Sequence, residues 1–228
     1  MASLIRPRAI LLDLDGTLVD TVGTRIEAWL HTFAEFGIPA ERGDVAALIG
    51  SDGKHLAREI GGRADRGVDD ELAEAIDRRA GEIYSDLNVD PQPLPGVGGF
   101  LDAVEAQGVP WAIATSSRRG QVGRSVEALG RPAEPRIVDG SAVTRAKPEP
   151  DLLFAAAREL GVPADGCWCV GDSTWDMRAA AAAGMTPIAV LAGSAVTPDE
   201  LRAAGAAECV RQIDDLIPAL RPVGGAAD

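Results

Sequence analysis

Two aspartates, Asp13 and Asp15, stand one residue apart directly after a short apolar run at residues 9–12. Residues two apart on a strand face the same way, so we expect both carboxylates to point into the crevice at the strand end, where open α/β sheets bind ligands. Two carboxylates this close repel each other unless a cation or a shared proton lies between them. The spacing therefore predicts a chemical site rather than a simple turn.

Three further polar segments also follow apolar runs or open helix-like stretches. They contain Thr115 and Ser116, then Lys147, then Asp172 and Asp176. Strands of a parallel sheet end at a shared edge, so we expect these segments to converge on the two aspartates. Hydroxyls, amides at helix starts, a lysine and acids around a cation are typical of a phosphoryl-transfer site.

Each segment also has a purely structural interpretation. Thr115 and Ser116 could cap a helix, and Ser173 with Asp176 has the spacing of a capping box. Asp172 could be a turn residue, and Lys147 could be a solvated loop lysine. The order of the four segments, each at a strand end or helix start, favours a common site.

The elements that position these residues alternate along the chain, which predicts an α/β fold with a Rossmann-like, doubly wound parallel sheet. Glycines at the expected helix ends support this pattern. The strand-like runs cover residues 9–12, 111–115, 167–170 and 187–191. The helix-like segments cover residues 99–107, 121–129, 151–160 and 175–183, and their glycines are Gly108, Gly130, Gly161 and Gly184.

The alternation stops between the first aspartates and a proline-rich stretch near residue 91. Only helical spacing of apolar residues occurs there, for example at Ile26, Trp29 and Phe33. We therefore predict a core domain formed by residues 1–19 and 91–228, interrupted by an all-helical cap domain at residues 20–90. An insert that follows the aspartates directly can cover them, and a stiff linker suits a hinged lid.

Composition excludes several classes of function. The 228 residues carry a formal net charge of -13, which argues against nucleic acid or an anionic membrane surface as a partner. No apolar stretch approaches the roughly 20 residues that cross a bilayer. Three cysteines form no disulfide framework and residues 1–8 leave no room for a signal peptide, so we expect a cytoplasmic protein.

The sequence resembles the haloacid dehalogenase-like (HAD) hydrolase superfamily. The first motif is Asp-Leu-Asp-Gly-Thr-Leu-Val-Asp at residues 13–20, and Thr115, Lys147-Pro148 and Gly-Asp-Ser-x-x-Asp at residues 171–176 follow in the order of the family. The helical insert resembles the cap of the phosphoglycolate phosphatase and β-phosphoglucomutase branch. The resemblance covers nearly the whole chain.

The resemblance implies a role for each aspartate. Asp13 is the expected nucleophile that forms an aspartyl-phosphate, and Asp15 is the expected acid and base. Mg²⁺ is expected on the Asp13 carboxylate, the Asp15 backbone carbonyl and the Asp172 carboxylate, with Asp176 as a bracing or alternative ligand. Dehalogenases of the family lack the acid, so Asp15 favours phosphoryl chemistry.

The remaining candidates contact the substrate. Thr115 and the Ser116 amide are expected to hold phosphoryl oxygens, and Lys147 to offset the charge of Asp13 and the phosphate. Lys54 and His55, in the predicted cap, are candidate substrate contacts, although a polar helix start above the crevice explains them nearly as well.

The resulting expectation is a Mg²⁺-dependent phosphatase for a small phosphorylated metabolite such as phosphoglycolate or a sugar phosphate. Two alternatives remain open: a phosphomutase that resembles β-phosphoglucomutase, and a non-catalytic regulator that binds a phosphorylated ligand. Both a monomer and a homodimer are compatible with the sequence, and neither nucleic acid nor a membrane is an expected partner.

Overall fold

A computed structural model describes residues 4–221, and its centre is one six-stranded, fully parallel sheet. The strand order β3-β2-β1-β4-β5-β6 is that of a doubly wound Rossmann-like sheet, as the sequence predicts. The chain reverses its direction of winding between β1 and β4, which pair with Leu12 opposite Val170. The strands are β1 (Ile10–Leu12), β2 (Trp111–Thr115), β3 (Ile137–Asp139), β4 (Trp168–Gly171), β5 (Thr186–Val190) and β6 (Glu208–Val210).

Helices cover both faces of the sheet. Ile10 and Leu12 point to the face covered by α5, where Phe100 is fully buried, and Leu11 points to the face covered by α7 and α8. This alternation follows from the two-residue period of a strand. The helices of this part are α5 (Val97–Ala106), α6 (Gly123–Ala128), α7 (Asp151–Glu159), α8 (Thr174–Ala182) and α9 (Pro198–Ala203), with 3₁₀ helices at Arg119–Gln121, Gly140–Ala142 and Ile213–Leu220.

Four consecutive helices are inserted between β1 and α5. They enclose their own apolar cluster, in which the rings of Trp29 and Phe33 stack at 5.6 Å. Phe36, just after the first of these helices, and Leu87, at the end of the fourth, are exposed at 37% and 40%. Trp175 of α8 joins the inserted cluster from the sheet side. The inserted helices are α1 (Val22–Glu35), α2 (Arg42–Ala46), α3 (Gly53–Arg63) and α4 (Asp70–Leu87).

The sequence patterns miss the two edge strands, β3 and β6. Each has only three residues, and their partly exposed positions interrupt the apolar run that marks a buried strand. The helix predicted at residues 121–129 is divided into a 3₁₀ turn and the shorter α6. The four predicted stop glycines are confirmed, since each adopts a positive φ of 60–69° after its helix.

Among the described residues, none of the helices combines the length and the apolar character that a membrane crossing requires.

Candidate active site

Three buried carboxylates meet where β1 and β4 end. Oxygen atoms of Asp13, Asp172 and Asp176 all lie within 4.8 Å of one another, and the three residues are at most 7% exposed. Burial, together with the neighbouring carboxylates, raises the pKa of Asp13 to about 7 and places the pKa of Asp172 well above its usual value. Such a group of hard oxygen donors favours a divalent cation such as Mg²⁺.

Lys147 is part of this cluster and is not a solvated loop residue. Its Nζ lies 2.6 Å from Asp13 Oδ1 and 2.6 Å from Asp176 Oδ1, and it donates to the Ala114 carbonyl at 2.9 Å. Only 2% of the residue is exposed. Burial alone would lower the pKa of this lysine, but the charges of Asp13 and Asp176 hold it above its usual value.

Asp176 caps a helix and also belongs to the acidic cluster. Its Oδ2 accepts from Ser173 Oγ at 2.6 Å and from the Ser173 amide at 3.1 Å, and the Asp176 amide donates back to Ser173 Oγ. This capping box fixes the start of α8. Because Oδ2 is used by the cap, Oδ1 is left to face Lys147.

Asp15 occupies a different environment from Asp13. Its carboxylate accepts from Thr21 Oγ1 at 2.6 Å, from Ser117 Oγ at 2.8 Å and from the Tyr84 hydroxyl at 3.1 Å, and it pairs with Arg25 at 2.9 Å. Burial would raise its pKa, but the Arg25 charge and these hydrogen bonds hold the pKa of Asp15 below its usual value. The two aspartates of the first motif are therefore tuned in opposite directions.

Arg25 and Tyr84 are site residues that sequence reasoning misses. Arg25 lies on α1 and Tyr84 on α4, and the guanidinium lies 3.6 Å from the centre of the tyrosine ring. The apolar spacing of these helices indicates which residues pack inside the insert, but not which polar residue faces the sheet edge. A lone arginine among twenty in the chain carries no distinguishing signal.

Thr115 and Ser116 lie at the end of β2, beside Asp13. Thr115 is 1% exposed, and its Oγ1 accepts from the Ser117 amide at 3.1 Å. Ser116 Oγ donates to the Gly50 carbonyl at 3.0 Å, which ties this loop to the inserted helices. The predicted convergence of the Thr115 segment with Asp13 and Asp15 is thus present in the structure.

A cavity of about 370 Å³ lies between the sheet edge and the inserted helices. Its volume falls in the range of small-molecule sites. Apolar contacts come from Trp29, Ile49 and Leu56, and the floor includes Asp13 and Asp15. The other polar side chains that line it are Arg25, Ser51, Asp52, Lys54, Glu74, Asp77, Thr115, Ser116, Ser117, Arg118, Gln121, Ser141 and Thr144.

The structure separates the two candidate substrate contacts of the insert. Lys54 lines the cavity, with its Nζ 3.6 Å from Glu74 Oε2. His55 does not line it and instead packs its ring edge-on against Trp175 at 5.2 Å between centroids. The helical turn directs the two adjacent side chains to different sides, and the substrate contact of His55 stays a prediction.

Comparison with known proteins agrees with this geometry. A sequence model of the family described as haloacid dehalogenase-like hydrolase matches residues 10–190. The phosphoglycolate phosphatase of Rhodospirillum rubrum is 32% identical over 193 residues, which cover 81% of this chain and 79% of the relative. Hexitol phosphatase A of Escherichia coli is 31% identical over 190 residues, covering 82% and 84%.

The fold agrees with a solved structure as well. A hydrolase from Pseudomonas syringae superposes with a TM-score of 0.86 at 30% identity, over 93% of this chain and 97% of that protein. The family match spans most of the chain, including all four motifs. The chain therefore belongs to the haloacid dehalogenase-like hydrolases, as a phosphoric monoester hydrolase with phosphoglycolate phosphatases among its relatives.

Proposed function

We propose that this phosphatase hydrolyses a small phosphomonoester, of the phosphoglycolate or sugar phosphate type, with Mg²⁺ and through an aspartyl-phosphate on Asp13. The observation that carries this proposal is the position of Asp13, which contacts Lys147 at 2.6 Å, belongs to the buried acidic cluster and also lines the cavity. A phosphate in the cavity can therefore reach a carboxylate whose charge is offset.

In the first step, an Asp13 oxygen forms a bond to phosphorus while the bond from phosphorus to the ester oxygen breaks. Asp15 delivers a proton to that leaving oxygen, which departs as an alcohol. In the second step, a water oxygen bonds to phosphorus, the bond to Asp13 breaks, and Asp15 takes the proton of the water. The sum is one ester and one water converted to one alcohol and one phosphate.

The environment of Asp15 suits its proposed role as a base directly. The Arg25 contact keeps it a carboxylate, which is the form that accepts a proton from water. Delivering a proton to the leaving oxygen requires the acid form. In this mechanism, Asp15 therefore takes up a proton once the substrate is bound and before the first step.

The charges of the acidic cluster fit a magnesium ion. When the three carboxylates of the cluster are ionised, their charge of -3 and the +1 of the Lys147 ammonium give a net charge of -2. The atoms that the carboxylates offer to a cation are all oxygens. The Asp13 and Asp172 carboxylates and the Asp15 backbone carbonyl hold Mg²⁺ in this proposal, and Asp176 braces that side. When bound, the ion neutralises the charge that a phosphate would otherwise add to the cluster.

Other residues of the site hold the substrate in this proposal. Thr115 and Ser116 bind phosphoryl oxygens, and Lys54 reaches the substrate from the insert.

The proposed division of the chain is a core domain of residues 1–19 and 91–228 and a cap domain of residues 20–90. It is supported by the inserted helices, which enclose their own apolar cluster and form the roof of the cavity. Three free cysteines support the proposed cytoplasmic location.

The experiment that tests this function measures phosphate release from a panel of phosphorylated metabolites, with and without Mg²⁺. We expect Mg²⁺-dependent release from at least one phosphomonoester by the wild-type protein and none by Asp13→Asn. Isomer formation without phosphate release would instead support the phosphomutase alternative. No turnover of any compound would support the regulator.

A further inference from the structure

The cavity cations beyond the reacting end are all paired with acids. Two basic side chains line this part of the cavity, Lys54 and Arg118, whereas Arg25 lies at the reacting end beside Asp15. Lys54 lies 3.6 Å from Glu74, and Arg118 lies 2.9 Å from the same residue. Each cation that could recognise a second anionic group on a substrate therefore already has a carboxylate partner.

Arg118 is the centre of this arrangement. It follows the Ser116 loop of the sheet edge and reaches the inserted helix α4, where one of its nitrogens lies 2.9 Å from Glu74 Oε1 and 2.5 Å from Asp77 Oδ2. Lys54 contacts the other oxygen of Glu74, so two cations share one carboxylate. The network joins α3, α4 and the sheet edge at the cavity wall.

The charge of this wall disfavours an anionic leaving group. Two cations face three carboxylates, those of Asp52, Glu74 and Asp77, which gives a net charge of -1 from +2 and -3 when all are ionised. A carboxylate on the leaving group would either displace Glu74 or Asp77 from its cation or lie next to that residue's carboxylate. Like charges brought together in this way disfavour binding.

Hydroxyl groups suit the same wall well. An alcohol can donate to the carboxylate oxygens of Glu74 and Asp77 and accept from Lys54 or Arg118, without adding charge. Trp29 also lines the cavity and adds apolar surface for the carbon-bound hydrogens of such a group.

We infer that the leaving group of the substrate is an uncharged polyhydroxylated alcohol, that of a sugar or sugar-alcohol phosphate, and not the carboxylate-bearing glycolate. The inference rests on the proposed phosphatase function, and it selects one of the two substrate types named there. The network of paired charges formed by Lys54, Glu74, Asp77 and Arg118 determines this preference for an uncharged leaving group.

The test compares kcat/KM for a hexitol phosphate, phosphoglycolate and p-nitrophenyl phosphate, each with Mg²⁺. We expect the hexitol phosphate to exceed phosphoglycolate by about tenfold or more. Equal or higher kcat/KM for phosphoglycolate would overturn the inference and leave the phosphatase function intact. Absence of phosphate release from all three compounds would overturn both.

A variant pair isolates the network. Glu74→Gln removes the shared carboxylate, so Lys54 loses its partner and Arg118 keeps only Asp77. The preference for the hexitol phosphate over phosphoglycolate should therefore fall about tenfold. Glu82→Gln is the matched control, because it makes the same change on the same helix at a residue that pairs with Arg79 and does not line the cavity. An unchanged preference in Glu74→Gln, or an equal change in Glu82→Gln, would contradict the inference.

Discussion

The guanidinium of Arg25, on the first inserted helix, lies 2.9 Å from the carboxylate of Asp15, which follows the first strand of the sheet. The same arginine donates to Ser117 Oγ at 2.6 Å, after β2. An inserted helix therefore controls the charge and the direction of the residue that we propose moves the proton. The position of the insert and the state of Asp15 are coupled through one side chain.

Replacing Arg25 should lower turnover more than it weakens substrate binding. In Arg25→Met the Asp15 carboxylate keeps its hydrogen bonds from Thr21 and Ser117 but loses its charged partner. Because misplacing a catalytic group costs about 100-fold in rate, we expect a loss of that size in kcat. Steady-state kcat and KM measurements check this. Arg124→Met is the control, since Arg124 also bridges to the insert, through the Ser85 carbonyl, without touching Asp15. Equal losses of kcat in both variants would count against the proposed coupling.

The chain has only two lysines, and they should differ sharply in their effect on stability. Lys147→Met leaves the buried carboxylates of Asp13 and Asp176 without their cation, which should cost about 3–5 kcal/mol of unfolding free energy. Lys54→Met removes a half-exposed pair with Glu74 and should cost about 0–1 kcal/mol. Urea unfolding without added metal measures both. Similar losses would mean that Lys147 does not compensate the cluster.

The acidic cluster should make metal-free stability fall as pH rises. Asp13, with a pKa raised to about 7, and Asp172, raised in the same direction, bind protons in the folded protein at pH values where the unfolded chain has lost them. Between the pKa of the unfolded state, about 4, and the raised pKa values of the folded state, the folded protein binds more protons than the unfolded chain. The contribution of these two groups to stability is therefore lost progressively as the pH rises through this interval.

Mg²⁺ should reverse this trend, since it binds the ionised form. The rise in Tm on adding Mg²⁺ should be larger at about pH 8 than at about pH 5, reaching about 5–10 °C at a hundredfold excess over Kd. Thermal unfolding at both pH values provides the measurement, with Asp172→Asn as the comparison. That variant should lose the Mg²⁺ effect and gain metal-free stability at the higher pH, and an unaltered Mg²⁺ response would exclude Asp172 as a ligand.

Much of the site follows from the sequence because its residues stand at strand ends. Asp13 and Asp172 each follow a strand of the central sheet and Thr115 is the last residue of another. Parallel strands bring these ends together at one edge, whatever the conformation of the loops. Lys147 joins them from a loop ahead of a helix, and its buried position follows from the acids that it neutralises.

The contacts across the insert could not be predicted in the same way. Arg25, Tyr84 and the partners of Arg118 depend on how the inserted helices lie against the sheet edge, and apolar spacing reports only the inner face of each helix. His55 illustrates the limit, because one residue along α3 separates the side chain in the cavity from the one against Trp175.

The central claim is that Asp13 attacks and Asp15 moves the proton, and transient kinetics of p-nitrophenyl phosphate hydrolysis tests it most directly. Nitrophenolate departs without a proton, so Asp15→Asn should release a rapid burst of about one nitrophenolate per active site and then turn over slowly as the aspartyl-phosphate accumulates. Asp13→Asn should give neither burst nor turnover. Full turnover in Asp13→Asn, or a burst that persists in it, would contradict the account.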